Sequence, residues 1–170
     1  VIASGPTVPD GSTFADARDV VEEYALDVPA SVRARIEAGV NGDLPETPKP
    51  GDEAFDRVTV HLLADGMTAP LAAAEAAEAR GFEPLVLSSR VRGEAREAAK
   101  THVAVAEEIL ASGHPIDPPA VVVSGGETTV TVRGDGEGGP NQEFALSGAI
   151  ELSDPGICLC SVDTDGIDGA

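Results

Sequence analysis

From residue 55 to the end, short apolar runs alternate with longer stretches rich in alanine and closed by glycine. Val58-Thr59-Val60-His61-Leu62-Leu63 reads as a strand, and Ala69 to Arg80 reads as a helix that Gly81 stops. Pro84-Leu85-Val86-Leu87-Ser88 predicts a short buried strand, followed by a long helix from about Gly93 to Ala111 with Gly113 beyond it. Ala120-Val121-Val122-Val123-Ser124 repeats the buried-strand pattern. Thr128 to Arg133 alternates and is β-branched, which predicts an antiparallel hairpin turning through Gly125-Gly126-Glu127. A helix over about 141–152 then leads to a last strand, Ile157 to Val162. The order β-α-β-α-β-β-α-β predicts an α/β fold: a layered sheet, mostly parallel with one antiparallel hairpin, and helices on both faces.

Residues 1–54 have another texture. Val1-Ile2-Ala3 looks like the tail of a strand entering the turn Ser4-Gly5-Pro6-Thr7, and Ser12 or Thr13 can cap a helix over about 14–25. Pro29 suits the first turn of a second helix, about 30–38, which Gly39 can close. Pro45, Pro48 and Pro50 make residues 41–51 an extended linker, since proline blocks both helix and central strand. The expected division is therefore a two-helix piece with its linker, 1–54, and an α/β domain, 55–170. The chain begins on Val1 and ends on Gly169-Ala170 in a Gly/Asp-rich loop, so it is read as a piece of a longer protein.

Composition changes the picture in one respect. Asp+Glu number 30 against 11 Lys+Arg, a net charge of -19, which disfavours nucleic acid and anionic membranes as partners through repulsion. With only Lys49 and Lys100 as lysines and the acids dispersed, the expectation is a protein kept soluble in a salt-rich cytoplasm. At 42% hydrophobic residues and a mean hydropathy of -0.00 it should fold. No window approaches the roughly 18 apolar residues of a membrane span, and no signal peptide opens the chain.

Cys158 and Cys160 lie two apart in an apolar run and read as small core side chains, and His61, His102 and His114 show no ligand spacing and read as structural. Chemistry is better carried by three polar, glycine-rich segments that each follow an expected strand, where open α/β sheets bind ligands. Ser124-Gly125-Gly126-Glu127-Thr128-Thr129 is either a ligand-approaching loop or a tight hairpin turn. Gly134 to Glu143 opens a helix, whose N-terminus favours anions. Its Gly134, Gly136 and Gly139, with Asp163, satisfy a dinucleotide fingerprint, but Asp135 and Glu137 would set negative charge beside a pyrophosphate. Asp163-Thr164-Asp165-Gly166-Ile167-Asp168-Gly169 offers carboxylates that can hold Mg²⁺ or take a proton from a hydroxyl, or that are only acidic surface.

Together Ser124 to Thr129, Gly138-Gly139-Pro140-Asn141-Gln142-Glu143-Phe144-Ala145-Leu146 and Asp163 to Gly169 resemble the signatures of the MOFRL domain, the C-terminal part of the glycerate 2-kinases. Ile2 to Asp10, Glu46 to Pro50 and Gly93 to Glu97 are similar to stretches in the same order in those enzymes. The resemblance implies ATP-dependent, Mg²⁺-assisted phosphorylation of D-glycerate at its 2-hydroxyl, in a cleft between two α/β domains. It implies Asp165 and Asp168 as catalytic and metal-binding residues. Ser124, Gly125, Gly126, Glu127, Thr128, Gly138, Gly139 and Asn141 would bind nucleotide or substrate, and Gln142 and Glu143 would brace that loop. Pro140 stands where many members have arginine. The partner it implies is the missing N-terminal domain, without which the piece would be inactive; a homo-oligomer is a further candidate state. Two alternatives stand beside this reading: a nicotinamide-dependent 2-hydroxy-acid (hydroxypyruvate) reductase, and a non-catalytic binding or regulatory module.

Overall fold

The computed structural model describes residues 7–169, so the expected strand tail at Val1-Ile2-Ala3 and most of its following turn lie outside the described residues. Two compact units divide the chain, Val1–Leu62 and Leu63–Ala170.

In the first unit α1 spans Phe14–Glu23 and α2 spans Ala30–Val40. Thr13 begins α1 with a capping box: its hydroxyl accepts from Asp16 N, and the Asp16 carboxylate accepts from Thr13 N at 2.7 Å. Pro29 sits one residue ahead of α2, and Gly39 lies inside that helix instead of closing it. Packing explains the difference, because Gly39 is buried under the Phe14 ring and a Cβ there would overlap it. The proline-rich linker folds back on the start of α1. Asp10 N donates to Pro48 O at 3.1 Å, Thr47 Oγ1 donates to Asp10, and Lys49 Nζ donates to Ser12 O.

The expected strand at 58–63 does not form. Val58 to Leu62 belong to no strand and are exposed, with Leu63 at 94% exposure, because no neighbouring strand among the described residues supplies the ladder that defines one.

In the second unit α3 (Thr68–Glu78), β1 (Glu83–Val91), α4 (Ala95–Ser112), β2 (Ala120–Gly126) and α5 (Pro140–Glu151) follow in order. Asp65 tethers the start of α3 by accepting from Met67 N and Thr68 N, and left-handed Gly113 ends α4 as expected. β1 and β2 pair in parallel from Glu83↔Ala120 to Val91↔Gly126, with α4 as the crossover between them. Ala95, Ala99 and Val103 recur every four residues on α4, and with Ile109 they form its buried stripe; Ala74 and Ala77 do the same on α3. Small side chains let α4 lie close against α5, and α3 against both strands.

The fold is α/β, and both strands are parallel. The predicted antiparallel hairpin is corrected: Gly125 and Gly126 end β2 without turning, and the chain runs on beside the β1–α4 loop. Thr129 pairs with Glu94 in a parallel bridge, Thr129 N donates to Gly93 O at 2.8 Å, and Ala95 N donates to Thr129 O at 2.9 Å. Gly126 permits this path, since its backbone lies so close to Val91 that a Cβ would overlap Val91 O. Two strands are too few to define two covered faces. The expected last strand, 157–162, is an extended segment without a strand partner. Its burial alternates: Ile157, Leu159 and Ser161 are half-buried, while Cys158, Cys160 and Val162 are exposed. Leu159 presses on Gly148 of α5, where a Cβ would stand 2.8 Å from its Cδ1, so the cysteines point outward and are not core.

Candidate functional site

The C-terminal ends of β1 and β2 gather several segments. Gly125 lies against the loop entering α3, where a Cβ would stand 3.3 Å from Pro70 and 3.4 Å from Gly66 O. That loop carries no signal in its local residue pattern, and only the fold brings it here.

Beside it, the first turns of α4 and α5 are joined through Arg96. Its Nε lies 2.8 Å from Glu143 and 3.9 Å from Glu94, although the N–H is not aligned for a hydrogen bond to either. Glu94 in turn accepts from Thr131 Oγ1 at 2.8 Å and from Thr131 N at 3.2 Å. The Thr131 hydroxyl in particular holds the Glu94 carboxyl below its ordinary range. Glu143 thus lies beside Arg96, a residue that the sequence reading did not single out.

Asp168 closes the start of α5. Its Oδ1 accepts from Asn141 N at 2.9 Å and Asn141 Nδ2 at 3.1 Å, and its Oδ2 accepts from Gln142 N at 2.7 Å. Partial desolvation pushes the Asp168 pKa up, but these hydrogen bonds together outweigh it and the net direction is down. A carboxylate from the chain itself therefore occupies the helix N-terminus that would otherwise attract an external anion. Gly139 is fitted to it, since a Cβ there would stand 2.6 Å from Gly169 N and 2.7 Å from Asp168 C. Gln142 reaches the Asp168 carbonyl from the other side, and Ser161 Oγ donates to Asn141 Oδ1.

Asp163 and Asp165 present the opposite electrostatics. Asp165 N donates to Asp163 Oδ1 at 3.1 Å, and the Asp165 carboxyl is pushed above its ordinary range by its side-chain hydrogen bond to Asp163 and by that residue's charge, with Glu127 adding in the same direction. An open cleft of about 400 Å³ is lined by Asn141, Gln142, Ser161, Asp163, Gly166 and Asp168, among others. A second depression, between Glu78, Phe82, Asp117 and Pro119, opens at the N-terminal ends of the strands, away from all these groups.

Ser124 is half-buried at the end of β2, with Thr128 half-buried beyond it and Gly126 and Glu127 exposed. Gly138 is exposed beside the Gln142 side chain. Ser124 has a partner that the sequence did not suggest. His102 Nε2 lies 2.8 Å from its Oγ, and His102 Nδ1 lies 2.7 Å from Ala98 O.

For Mg²⁺ the donor chemistry fits at one place. A carboxyl whose proton affinity is raised by a neighbouring carboxylate, as that of Asp165 is by Asp163, is relieved by a cation, and Mg²⁺ needs only one or two protein carboxylates when phosphates and water complete its shell. Among the described residues no group of three or more His, Cys, Asp or Glu side chains converges to hold a metal unaided. The dinucleotide fingerprint lacks its frame, since no strand runs directly into Gly134, β2 having ended at Gly126, and Asp168 already fills the helix start.

These features, strand ends, glycine-rich loops and carboxylates set around two parallel strands, define a class of α/β module. Residues 120–170 match the MOFRL family, residues 1–37 match a domain of unknown function, DUF4147, and nearly the whole chain is similar to part of proteins named glycerate 2-kinase. It is 43% identical over 171 residues to a glycerate 2-kinase of Pyrococcus horikoshii, covering 99% of this chain and 38% of that protein. It is equally 43% identical to an Agrobacterium vitis protein provisionally named a hydroxypyruvate reductase, covering 99% of this chain and 37% of that protein. A crystal structure of glycerate kinase from Thermotoga maritima is similar with a TM-score of 0.65 at 38% identity, over 89% of this chain and 34% of that one. The chain thus spans well under half the length of these relatives.

Proposed function

We propose that this chain is part of a glycerate 2-kinase that transfers the γ-phosphoryl group of ATP to the 2-hydroxyl of D-glycerate, with Mg²⁺ between protein and phosphates. The observation that carries the reading is the unrelieved Asp163–Asp165 pair beside the strand ends, in a chain alike over its whole length to proteins named for that activity. Phosphoryl transfer asks mainly for positioning and charge compensation. Asp165, with Asp163, would hold the cation or orient the hydroxyl. Mg²⁺ bound there would neutralise charge on the phosphates. Asp168 would act through α5, fixing Asn141 and Gln142 beside the cleft. Ser124 to Thr128 and Gly138-Gly139 would form the walls nearest nucleotide or substrate.

The remaining part of the cleft would come from the rest of a longer protein, so this chain alone should not turn over; the 1–54 and 55–170 division remains our domain proposal. A cytoplasmic, salt-adapted setting fits the charge of -19, and no helix among the described residues is long and apolar enough to cross a membrane. The reductase alternative draws on the name of the Agrobacterium relative, but the glycine-rich segment lacks the strand-turn-helix frame that a nicotinamide cofactor requires. The test is ADP release from ATP, Mg²⁺ and D-glycerate by the complete gene product carrying this chain, beside NADH oxidation with hydroxypyruvate. Kinase turnover without reductase turnover is expected, and the reverse result overturns the reading.

A further inference from the structure

Two hydrogen bonds and one ring contact around His102 fix the direction of one hydroxyl. The Ala98 carbonyl can only accept, so the Nδ1 that lies 2.7 Å from it carries the ring proton. In the neutral ring Nε2 is then a bare lone pair, and the Ser124 hydroxyl 2.8 Å away must donate its proton to it. The ring cannot turn away easily, because it packs edge-on against Phe144 of α5 with centroids 5.1 Å apart at 72°. The charged groups of α4 around His102 are Arg96, Glu97, Lys100, Glu107 and Glu108, and Glu97 and Lys100 pair with each other at 3.2 Å. On α5 Glu143 pairs with Arg96, and β2 holds no charged residue before Glu127 follows it.

We propose that His102 is a positioning residue of the site: by taking the Ser124 proton it leaves Ser124 Oγ with only lone pairs to offer, so that Ser124 accepts a hydrogen bond from an alcohol group of the ligand. A serine hydroxyl left free would turn to donate to phosphate or carboxylate; this one is committed the other way. Adding a proton at Nε2 reverses the arrangement, since the imidazolium then donates to Ser124. The proposal rests on the kinase reading for the identity of the alcohol, which is either a glycerate hydroxyl or the nucleotide ribose.

The experiment measures KM for D-glycerate and for ATP, kcat and Tm in the complete gene product, for wild type, His102→Gln, His102→Phe and Ser124→Ala. Ser124→Ala and His102→Phe should each raise one KM about tenfold with kcat within about twofold, the loss of one hydrogen bond to the ligand. Which KM moves tells glycerate from ribose. His102→Gln, whose amide oxygen can replace Nε2 as acceptor, should keep the wild-type KM at pH 7.5. Changes in Tm alone, with both KM values untouched, overturn the proposal, as does a glutamine variant as impaired as the phenylalanine one. Should the wild-type protein prove not to phosphorylate glycerate, the kinase reading fails by itself. Nitrogen-15 spectra of the histidine-labelled protein then decide on His102: a proton on Nδ1 supports the inference, and a proton on Nε2 in the neutral ring ends it.

Discussion

Within six residues the 163–168 loop contains two acids in opposite circumstances. Asp168 accepts three hydrogen bonds from Asn141 and Gln142 and is held in its charged form. Asp165 faces Asp163 and Glu127 and is held back from its charged form. One is a completed structural contact and the other stores repulsion that only a cation, a proton or a positively charged partner relieves. Acidic loops in a chain this acidic are therefore separable by their partners, where composition treats every carboxylate alike.

The largest expected effect is on the unrelieved pair. Asp165→Asn in the complete gene product should lower kcat by about 10²-fold or more with a much smaller change in the glycerate KM, since an electrostatic group acts mainly on the transition state. Turnover at the wild-type rate would remove Asp165 from the site and collapse the contrast.

Next comes the fitted glycine on the other side of the comparison. Gly139→Ala should cost about 1–3 kcal/mol in urea unfolding, because the new methyl meets backbone atoms that cannot give way. Asp168→Ala should cost about 0.5–2 kcal/mol, as loss of a helix cap does. The pH dependence carries a definite sign. A native pKa below the ordinary 3.8 stabilises above that value and is lost as the pH falls through the native pKa, so Asp168→Asn should flatten the acid limb of the Tm profile. Asp165 runs the other way: its raised pKa favours the fold only while protonated, and the benefit disappears as pH rises through it. At neutral pH Asp165→Asn should therefore raise Tm slightly while abolishing activity, and a fall in Tm would count against the repulsion described.

The smallest and most diffuse effect is that of salt. With 30 acids and 11 bases, Tm should climb from low salt to molar KCl as screening relieves repulsion, and the climb should shrink in Asp165→Asn. A flat salt profile would contradict the reading of the acidic surface.

Much of the helical architecture was legible because its signals are local. Thr13 with Asp16 marks the start of α1, Gly113 marks the end of α4, and the valine run marks β2. Strand partnership was not legible, because it depends on what lies alongside. Val58 to Leu62 and Ile157 to Val162 have strand composition yet no ladder, and Thr128 to Thr131 alternates like a hairpin arm while pairing in parallel. The alternation in 157–162 was real, but nothing in it said which face would meet α5, so the cysteines were assigned to the wrong side. In the candidate site, the glycine-rich segments could be picked out from their place after apolar runs, but not what each would lie against. The clasp of Asp168 on α5 spans 26 to 27 residues, and the His102–Ser124 contact spans 22, distances over which no residue pattern reports.

The outward alternation of Cys158 and Cys160 also has a redox consequence. Two positions apart on an extended chain, their Cα atoms are separated by about 6.5–7 Å, at the far limit of what a disulfide spans. Both thiols are open to solvent, yet closing a bridge between them would require bending the segment away from Leu159 and its seat on Gly148. Oxidant should therefore link one molecule to another, or carry a thiol on to sulfenic acid, before it forms an internal loop. A non-reducing gel would show this as a ladder of covalent oligomers that a thiol reductant returns to monomer.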